Sequence, residues 1–247
     1  MTSTTATVQD IATENPATVR VFEKYGIEYC CGGQVPLADA CAAKGLNVDE
    51  VIASLEAATA PLASGEKDWA NESLASLAAH IADTHHAYVS YELPRLNELA
   101  GKVVSRYGDT HEELPAIQSK LAALAEELIA HQGREEVVLF PYIGKLERFA
   151  AGNGAMPRNC FGSVTHPIEM MSRDHDFAGN LIAEIRTLSQ DDTPPDGVCP
   201  TFRAFFDGLR QFKHDLHQHI HLENNTLFPR AIELEASVSH RQGARFR

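Results

Sequence analysis

The chain has 247 residues, of which 44% are hydrophobic, enough to bury one substantial core and still form a small additional domain. Its 21 basic and 34 acidic residues give a net charge of −13, which argues against nucleic acid or an anionic membrane as the main partner. No apolar run approaches the roughly 20 residues of a membrane-spanning helix. The initial segment MTSTTATVQD lacks the pattern of a signal peptide, so a cytoplasmic protein is expected.

Residues 1–60 are predicted to form a small helical domain. Helical patterns cover residues 11–25 and 48–55, and a further one opens near Leu37; Asn47 is a plausible N-cap for the last of them. Residues 61–69, which include proline, serine and glycine, are predicted to be a linker. A larger domain over residues 70–236 and a polar, basic tail over residues 237–247 follow.

A cysteine pair, Cys30 and Cys31, lies in the segment Tyr-Cys-Cys-Gly-Gly of the small domain. The chain has five cysteines, an odd and unevenly placed set that does not indicate a disulfide framework. The neighbouring glycines permit a tight turn that exposes the two thiols, which favours a redox or metal-handling role. A pair of small buried residues at a helix end is the alternative, and both interpretations stay open.

Four long helices are predicted in the larger domain, over residues 71–107, 114–146, 167–188 and 200–234. A segment rich in glycine, asparagine and proline, residues 150–166, connects the two helix pairs. Alternating runs typical of strands are nearly absent. The expected fold class is therefore all-α, a four-helix bundle preceded by the small helical domain.

One motif occurs twice in the bundle: His131-x3-Glu135, followed by Phe-Pro, and His219-x3-Glu223, also followed by Phe-Pro. A His and a Glu four residues apart point from one face of a helix and can bind one metal centre. Another histidine precedes each copy, His86 by 45 residues and His175 by 44. His-x3-Glu also occurs by chance on exposed helices, but the duplication at matched spacing favours a metal site.

The neighbouring histidines are less clear. Apolar periodicity supports His85 and His86 equally as the ligand from the first helix. His217 and His221 lie about 200° around the helix from His219 and are predicted to form a solvated face, with adventitious metal binding as the weaker alternative.

Four imidazoles and two carboxylates from four helices are the ligand set that bundle cores use for two iron ions sharing carboxylate bridges. Bridging by both glutamates gives each ion four protein donors. An oxo or hydroxo bridge would add a fifth and leave one position open for a small molecule. Manganese or zinc could occupy a similar site.

Carboxylates one helical turn before the repeated histidines are candidate partners for the ligand rings. Glu127 lies four residues before His131, and Asp215 lies four before His219. Such a carboxylate can accept the second imidazole N–H or carry protons to a bound substrate, and Asp174 beside His175 is a weaker candidate. Glutamate and aspartate are also common on helix surfaces, which is the alternative interpretation.

The pairing of Tyr25-Gly-Ile-Glu-Tyr-Cys-Cys-Gly-Gly33 with this bundle resembles the hemerythrin-like di-iron proteins for repair of iron centres, the RIC or ScdA-type family. The likeness covers nearly the whole chain, including His80-Ile81, His85-His86, Leu93-Pro94, His131-x3-Glu135-Glu136, His175-Asp176 and Leu222-Glu223-Asn224-Asn225. The segment near Pro157 to His166, which contains Cys160, and the basic tail depart from the family pattern.

The resemblance implies a protein that restores iron-sulfur clusters damaged by nitric oxide or oxidants, with damaged iron-sulfur proteins as partners. The sequence leaves the oligomeric state open between a monomer and a dimer. The repair implied by the resemblance proceeds by delivery of iron. Physical reasoning adds a second mechanism, in which the open positions on two ferrous ions bind two nitric oxide molecules side by side and reduce them to nitrous oxide, with an unidentified electron donor. The implied iron ligands are His86, His131, Glu135, His175, His219 and Glu223, and the family's cysteine pair corresponds to Cys30 and Cys31. A sensor or carrier of oxygen or nitric oxide without turnover is the alternative function.

Overall fold

The computed structural model describes residues 4–15, 18–29, 33–58 and 67–245, without the side chains of Glu14, Arg20, Glu23 and residues 240–245. Cys30 and Cys31 lie outside the described residues. Within the described ranges the chain forms helices and no strand, apart from one isolated antiparallel bridge between Thr7 and Pro36. The all-α prediction is confirmed.

Contacts between residues divide the chain into two compact units. One comprises residues 1–72 together with 220–229, and the other comprises residues 73–219 together with 230–247. None of the helices in the described part of the chain is both long and apolar enough to cross a membrane.

Four short helices form the N-terminal part of the first unit: α1 (Val8–Glu14), α2 (Val19–Tyr25), α3 (Leu37–Ala43) and α4 (Val48–Ala58). Polar side chains fix two of the helix starts. The Thr7 hydroxyl accepts a hydrogen bond from the backbone N–H of Asp10 at 3.0 Å, and Asn47 Oδ1 accepts one from Asp49 at 2.9 Å. Fully buried side chains, among them Phe22, Leu37 and Leu55, fill the interior.

Four long helices follow, and three of them include a π-helical segment. All their residues except 220–229 belong to the second unit. The first consists of α5 (Leu74–His80), π1 (Ile81–His86) and α6 (Ala87–Tyr107). The second consists of α7 (Glu113–Arg134), π2 (Glu135–Leu139) and α8 (Phe140–Ala150). The third is α9 (Thr165–Leu188), and the fourth consists of α10 (Pro200–Leu222), π3 (Glu223–Leu227) and α11 (Phe228–Arg245).

Helix α7 packs against α6 and α9, and α5 packs against α8. Helix α5 begins at Leu74, where Ser73 accepts a hydrogen bond from Ser76 at 3.0 Å and Glu147 of α8 accepts one from the N–H of Leu74 at 2.7 Å. Apolar side chains that repeat every three or four residues form the core between the helices.

Two features differ from the sequence-based expectation. The π segments were not predicted, because π turns have no amino-acid pattern that distinguishes them from the surrounding α-helix. Helix α11 continues to Arg245, whereas the sequence predicts an end at Leu234 and a frayed tail from residue 237. Residues beyond Leu234 contain no proline, so no residue forces the helix to end there.

Candidate metal centre

Six buried side chains from the four long helices form two overlapping groups of possible metal ligands. One group is His86, Glu135, His219 and Glu223, and the other is His131, Glu135, His175 and Glu223. The potential ligand atoms within each group all lie within 4.8 Å of one another. Both glutamates belong to both groups, which is the arrangement expected of two carboxylates shared by two neighbouring metal ions.

The π segments coincide with three of these six residues. His86 is the last residue of π1, Glu135 is the first of π2, and Glu223 is the first of π3. A π turn accommodates an additional residue in the helix and is frequent at functional sites. The backbone is therefore irregular at the candidate metal ligands and regular along most of the remaining bundle helices.

Histidine pairs face each other in each group. The Nε2 atoms of His86 and His219 are 3.1 Å apart, and those of His131 and His175 are also 3.1 Å apart. The four rings are at most 2% exposed. Two Nε2 atoms at this separation are close enough to bind the same ion.

Glu135 provides the strongest test of whether the residues fit a cation. Its side chain is 0% exposed, and neither carboxylate oxygen has a hydrogen-bond donor in suitable geometry among the described residues. Oε2 lies 3.2 Å from His131 Nε2 and 3.4 Å from His86 Nε2. A buried carboxylate without donors is costly, and bound cations would offset that cost. This mixed nitrogen and oxygen donor set fits iron, and also manganese or zinc.

Acidic side chains contact the second nitrogen of two ligand rings. Glu136 Oε1 lies 2.8 Å from His86 Nδ1, and Asp174 Oδ2 lies 3.4 Å from His131 Nδ1. Asp174 also accepts a hydrogen bond from Arg134 at 2.7 Å. These contacts can fix the tautomer and orientation of each ring.

Glu127, which the sequence placed one turn before His131, instead accepts a hydrogen bond from Arg134 at 3.2 Å. Glu136 was not predicted to be a partner of His86. The adjacent glutamates Glu135 and Glu136 could have suggested a second acidic residue near the metal site. The regular 3.6-residue repeat of an α-helix, however, gives the wrong side-chain direction for a residue within a π segment.

The two candidate histidines of the first helix have different environments. His86 belongs to a ligand group, whereas His85 Nδ1 lies 3.0 Å from Asp215 Oδ1. The His85 ring is parallel to the His219 ring, with centroids 5.6 Å apart and 8° between the planes. Asp215 therefore contacts His85, which is not in either ligand group, whereas the sequence predicted a contact with the ligand His219.

The prediction of a solvated face at His221 was wrong. His221 is only 5% exposed, and its Nδ1 atom accepts a hydrogen bond from the Asn225 amide at 2.7 Å. Gln9 of α1 donates to Asn225 Oδ1 at 2.6 Å, and the Tyr29 ring packs edge-on against His221 at 5.5 Å. Burial lowers the pKa of His221 to about 4, so the ring is neutral at pH 7. Packing within the first unit, which the helix pattern does not reveal, accounts for the error.

Comparison with known proteins matches both parts of the chain. Residues 77–231 match the hemerythrin HHE cation-binding domain family, and residues 4–59 match ScdA_N, described as a domain of unknown function. The iron-sulfur cluster repair protein YtfE of Pectobacterium carotovorum is 35% identical over 226 residues, which cover 92% of this chain and 96% of that protein. The chain belongs to the family of iron-sulfur cluster repair proteins.

Two further iron-sulfur cluster repair proteins show similar coverage. YtfE of Escherichia coli is 37% identical over 224 residues, covering 90% of this chain and 94% of that protein. The probable iron-sulfur cluster repair protein of Haemophilus influenzae is 34% identical over 228 residues, covering 91% and 96%. The resemblance identified from the sequence motifs is thereby confirmed. The family's cation-binding domain spans all six residues of the two ligand groups.

Proposed function

We propose that this protein restores iron-sulfur clusters damaged by nitric oxide or oxidants, and that it does so with two non-haem iron ions. The observation that carries the proposal is the pair of buried ligand groups that share Glu135 and Glu223. The names of the similar proteins from three bacteria support the repair role. The damaged iron-sulfur proteins are then the clients of this chain.

Each ligand group would hold one iron. His86 and His219 would bind the first ion, His131 and His175 the second, and the two glutamates would bridge them. When bound, ferrous iron supplies electrons and open coordination positions for small molecules. The protein binds and orients the ions with buried side chains, whose surroundings exclude bulk water.

The acidic residues next to the ligand rings would provide protons and fix ring orientation. Glu136 is about half exposed, so its carboxylate can exchange protons with solvent while Oε1 contacts His86 Nδ1. Arg134 holds Asp174 beside His131. Protons are required because two nitric oxide molecules, two electrons and two protons yield one nitrous oxide and one water.

We favour the supply of iron to the damaged cluster as the main role, with nitric oxide reduction as a compatible activity. In the first role iron is the cargo, and the client accepts it. Cys30 and Cys31, outside the described residues, would guide iron or relay electrons. A sensor or carrier without turnover would bind gas at the same site but would not restore a client.

The first experiment measures metal content and Mössbauer spectra of anaerobically purified protein. We expect about two magnetically coupled irons per chain in the wild type and lost or uncoupled iron in Glu135→Ala and Glu223→Ala. Glu126→Ala, an exposed position of α7, is the matched control and should retain the iron. One zinc per chain, or no metal, would overturn the di-iron assignment.

The second experiment separates the two repair chemistries and the carrier alternative. Protein loaded with ⁵⁷Fe is mixed with a nitric-oxide-damaged iron-sulfur enzyme, and client activity, label transfer and headspace nitrous oxide are followed. Iron supply predicts that the label enters the client as activity returns. A carrier would bind nitric oxide without restoring the client, and equal repair by Cys30→Ser/Cys31→Ser would remove the proposed role of those thiols.

A further inference from the structure

A pocket of about 300 Å³ lies on the surface of the second unit, between the start of α8 and the segment that connects α8 to α9. Its apolar wall includes Val137 and Val138 of π2, and Val137 is 77% exposed. Lys145, Arg158 and the exposed thiol of Cys160 also line it. The pocket therefore combines apolar surface, two cations and one accessible thiol.

Side-chain contacts hold the connecting segment in place. The Asn159 side chain accepts a hydrogen bond from the N–H of Phe161 at 3.2 Å, and the Phe161 ring packs edge-on against Tyr142 at 4.9 Å. Glu235 of α11 accepts hydrogen bonds from the N–H of Val164 at 3.0 Å and from the Tyr142 hydroxyl at 2.6 Å. Burial raises the pKa of Tyr142 to about 12, so this hydroxyl keeps its proton. These contacts hold residues 159–164 along one side of the pocket.

The two cations of the pocket are available to a ligand. Neither Lys145 nor Arg158 forms an ion pair with another described residue, although the chain has a net charge of −13. Two uncompensated cations beside an apolar wall favour a molecule with carboxylates. The pocket volume lies at the lower end of the range for small-molecule sites, roughly 300 to 1,000 Å³.

We propose that this pocket binds one half of an anionic low-molecular-weight disulfide of the glutathione class and directs it to Cys160. The carboxylates of the disulfide would contact Lys145 and Arg158, and its sulfur would lie at the thiol. Cys160 is then a modification site that forms a mixed disulfide. The proposal is independent of the metal centre and of cluster repair.

The reaction is a thiol–disulfide exchange. The Cys160 thiolate attacks one sulfur of the disulfide, a new sulfur–sulfur bond forms, and the original one breaks. The second half leaves as a thiolate and takes a proton from solvent. Cys160 is oxidised, one half of the small disulfide is reduced to a thiol, and no further oxidant is required.

Cys199 provides an internal comparison. It precedes α10, and hydrogen bonds from the Tyr107 hydroxyl and then from the backbone N–H of Phe202 lower its pKa to about 7. This lowered pKa favours reaction of Cys199 at neutral pH. Cys41 is only 1% exposed. If an anionic disulfide modifies Cys160 faster than Cys199, the cause is therefore its binding to the pocket.

The test treats full-length, metal-containing protein with glutathione disulfide and with the neutral hydroxyethyl disulfide. Peptide mapping by mass spectrometry measures the rate at each cysteine. We expect glutathione disulfide to modify Cys160 faster than Cys199, and the neutral disulfide to reverse that order. High salt should reduce the preference, because the Debye length falls to about 3 Å at 1 M.

Charge variants supply the second arm. Lys145→Ala and Arg158→Ala should each slow glutathionylation of Cys160 about five-fold, with little effect on the neutral disulfide. Lys102→Ala removes a surface cation that does not line the pocket and should react like the wild type. Near-ultraviolet circular dichroism confirms that each variant is folded.

Two results would overturn the proposal. One is the same ratio of Cys160 to Cys199 modification with the anionic and the neutral disulfide. The other is a wild-type rate of glutathionylation in a folded Lys145→Ala/Arg158→Ala protein. Neither readout depends on iron content, so failure here would leave the proposed repair function unaffected.

Discussion

The half-exposed carboxylate of Glu136 lies 2.8 Å from Nδ1 of His86, whose Nε2 atom faces that of His219. Glu136 thus connects the candidate metal centre to the protein surface. Glu127, in contrast, contacts Arg134. Removal of these two carboxylates should therefore affect metal binding differently.

Glu136→Ala should weaken metal binding by about 10- to 100-fold, because His86 loses the partner that orients its ring. Glu127→Ala should change the affinity much less. Competition with a chelator, followed by metal analysis, measures both. Equal loss of metal in the two variants would contradict the role assigned to Glu136.

Glu135→Met should change stability in opposite directions with and without metal. In the metal-free protein it replaces a buried carboxylate that lacks donors, and the free energy of unfolding should rise by about 1–3 kcal/mol. With metal present, the same change removes a proposed bridging ligand, and the variant should gain less stability from metal than the wild type does. Denaturant unfolding of both forms measures the two effects. A loss of stability in the metal-free variant would contradict the assignment.

Cys199 should be alkylated by iodoacetamide with a midpoint near pH 7. The thiolate is the reactive form, so the rate should rise as the pH increases through the lowered pKa. Tyr107→Phe removes the largest cause of that lowering and should move the midpoint upward. A midpoint at the ordinary cysteine pKa of about 8.5 in the wild type would show that these hydrogen bonds do not stabilise the thiolate.

Two glycines in the long helices should respond oppositely to alanine. A Cβ atom at Gly208 would lie 2.6 Å from Leu96 Cδ2, so Gly208→Ala should destabilise the bundle by about 1–2 kcal/mol. At Gly133 a Cβ atom meets nothing within 4 Å. Gly133→Ala should therefore stabilise α7 by roughly 0.5–1 kcal/mol. Thermal unfolding of both variants checks the signs, and stabilisation by Gly208→Ala would show that α6 and α10 are not closely packed there.

The helices and the ligand groups could be anticipated because the sequence repeats its metal-binding pattern. His131, Glu135, His219 and Glu223 recur at matched spacing, and the structure brings them together with two further histidines. The repeat supplied information that single histidines do not carry. Periodicity alone left His85 and His86 equivalent, and the structure distinguishes them by contacts with Asp215 and Glu136.

Features that depend on local backbone irregularity, or on packing between residues distant in sequence, could not be predicted from the sequence. The π segments change the direction of side chains such as Glu136 without a distinct sequence signal. His221 appears polar and exposed in a helix pattern, but Asn225 and Tyr29 bury it. The pocket beside Cys160 needs a loop conformation that composition does not determine.

Each ligand group takes one histidine from residues 74–150 and one from residues 165–245. His86 is grouped with His219, and His131 with His175, so neither half of the bundle contains a complete group. Bound ions would therefore act as cross-links between the halves, in the way that disulfides join segments of other proteins. A chain cut within the connection between α8 and α9 should stay assembled while metal is bound and come apart more easily once a chelator removes it.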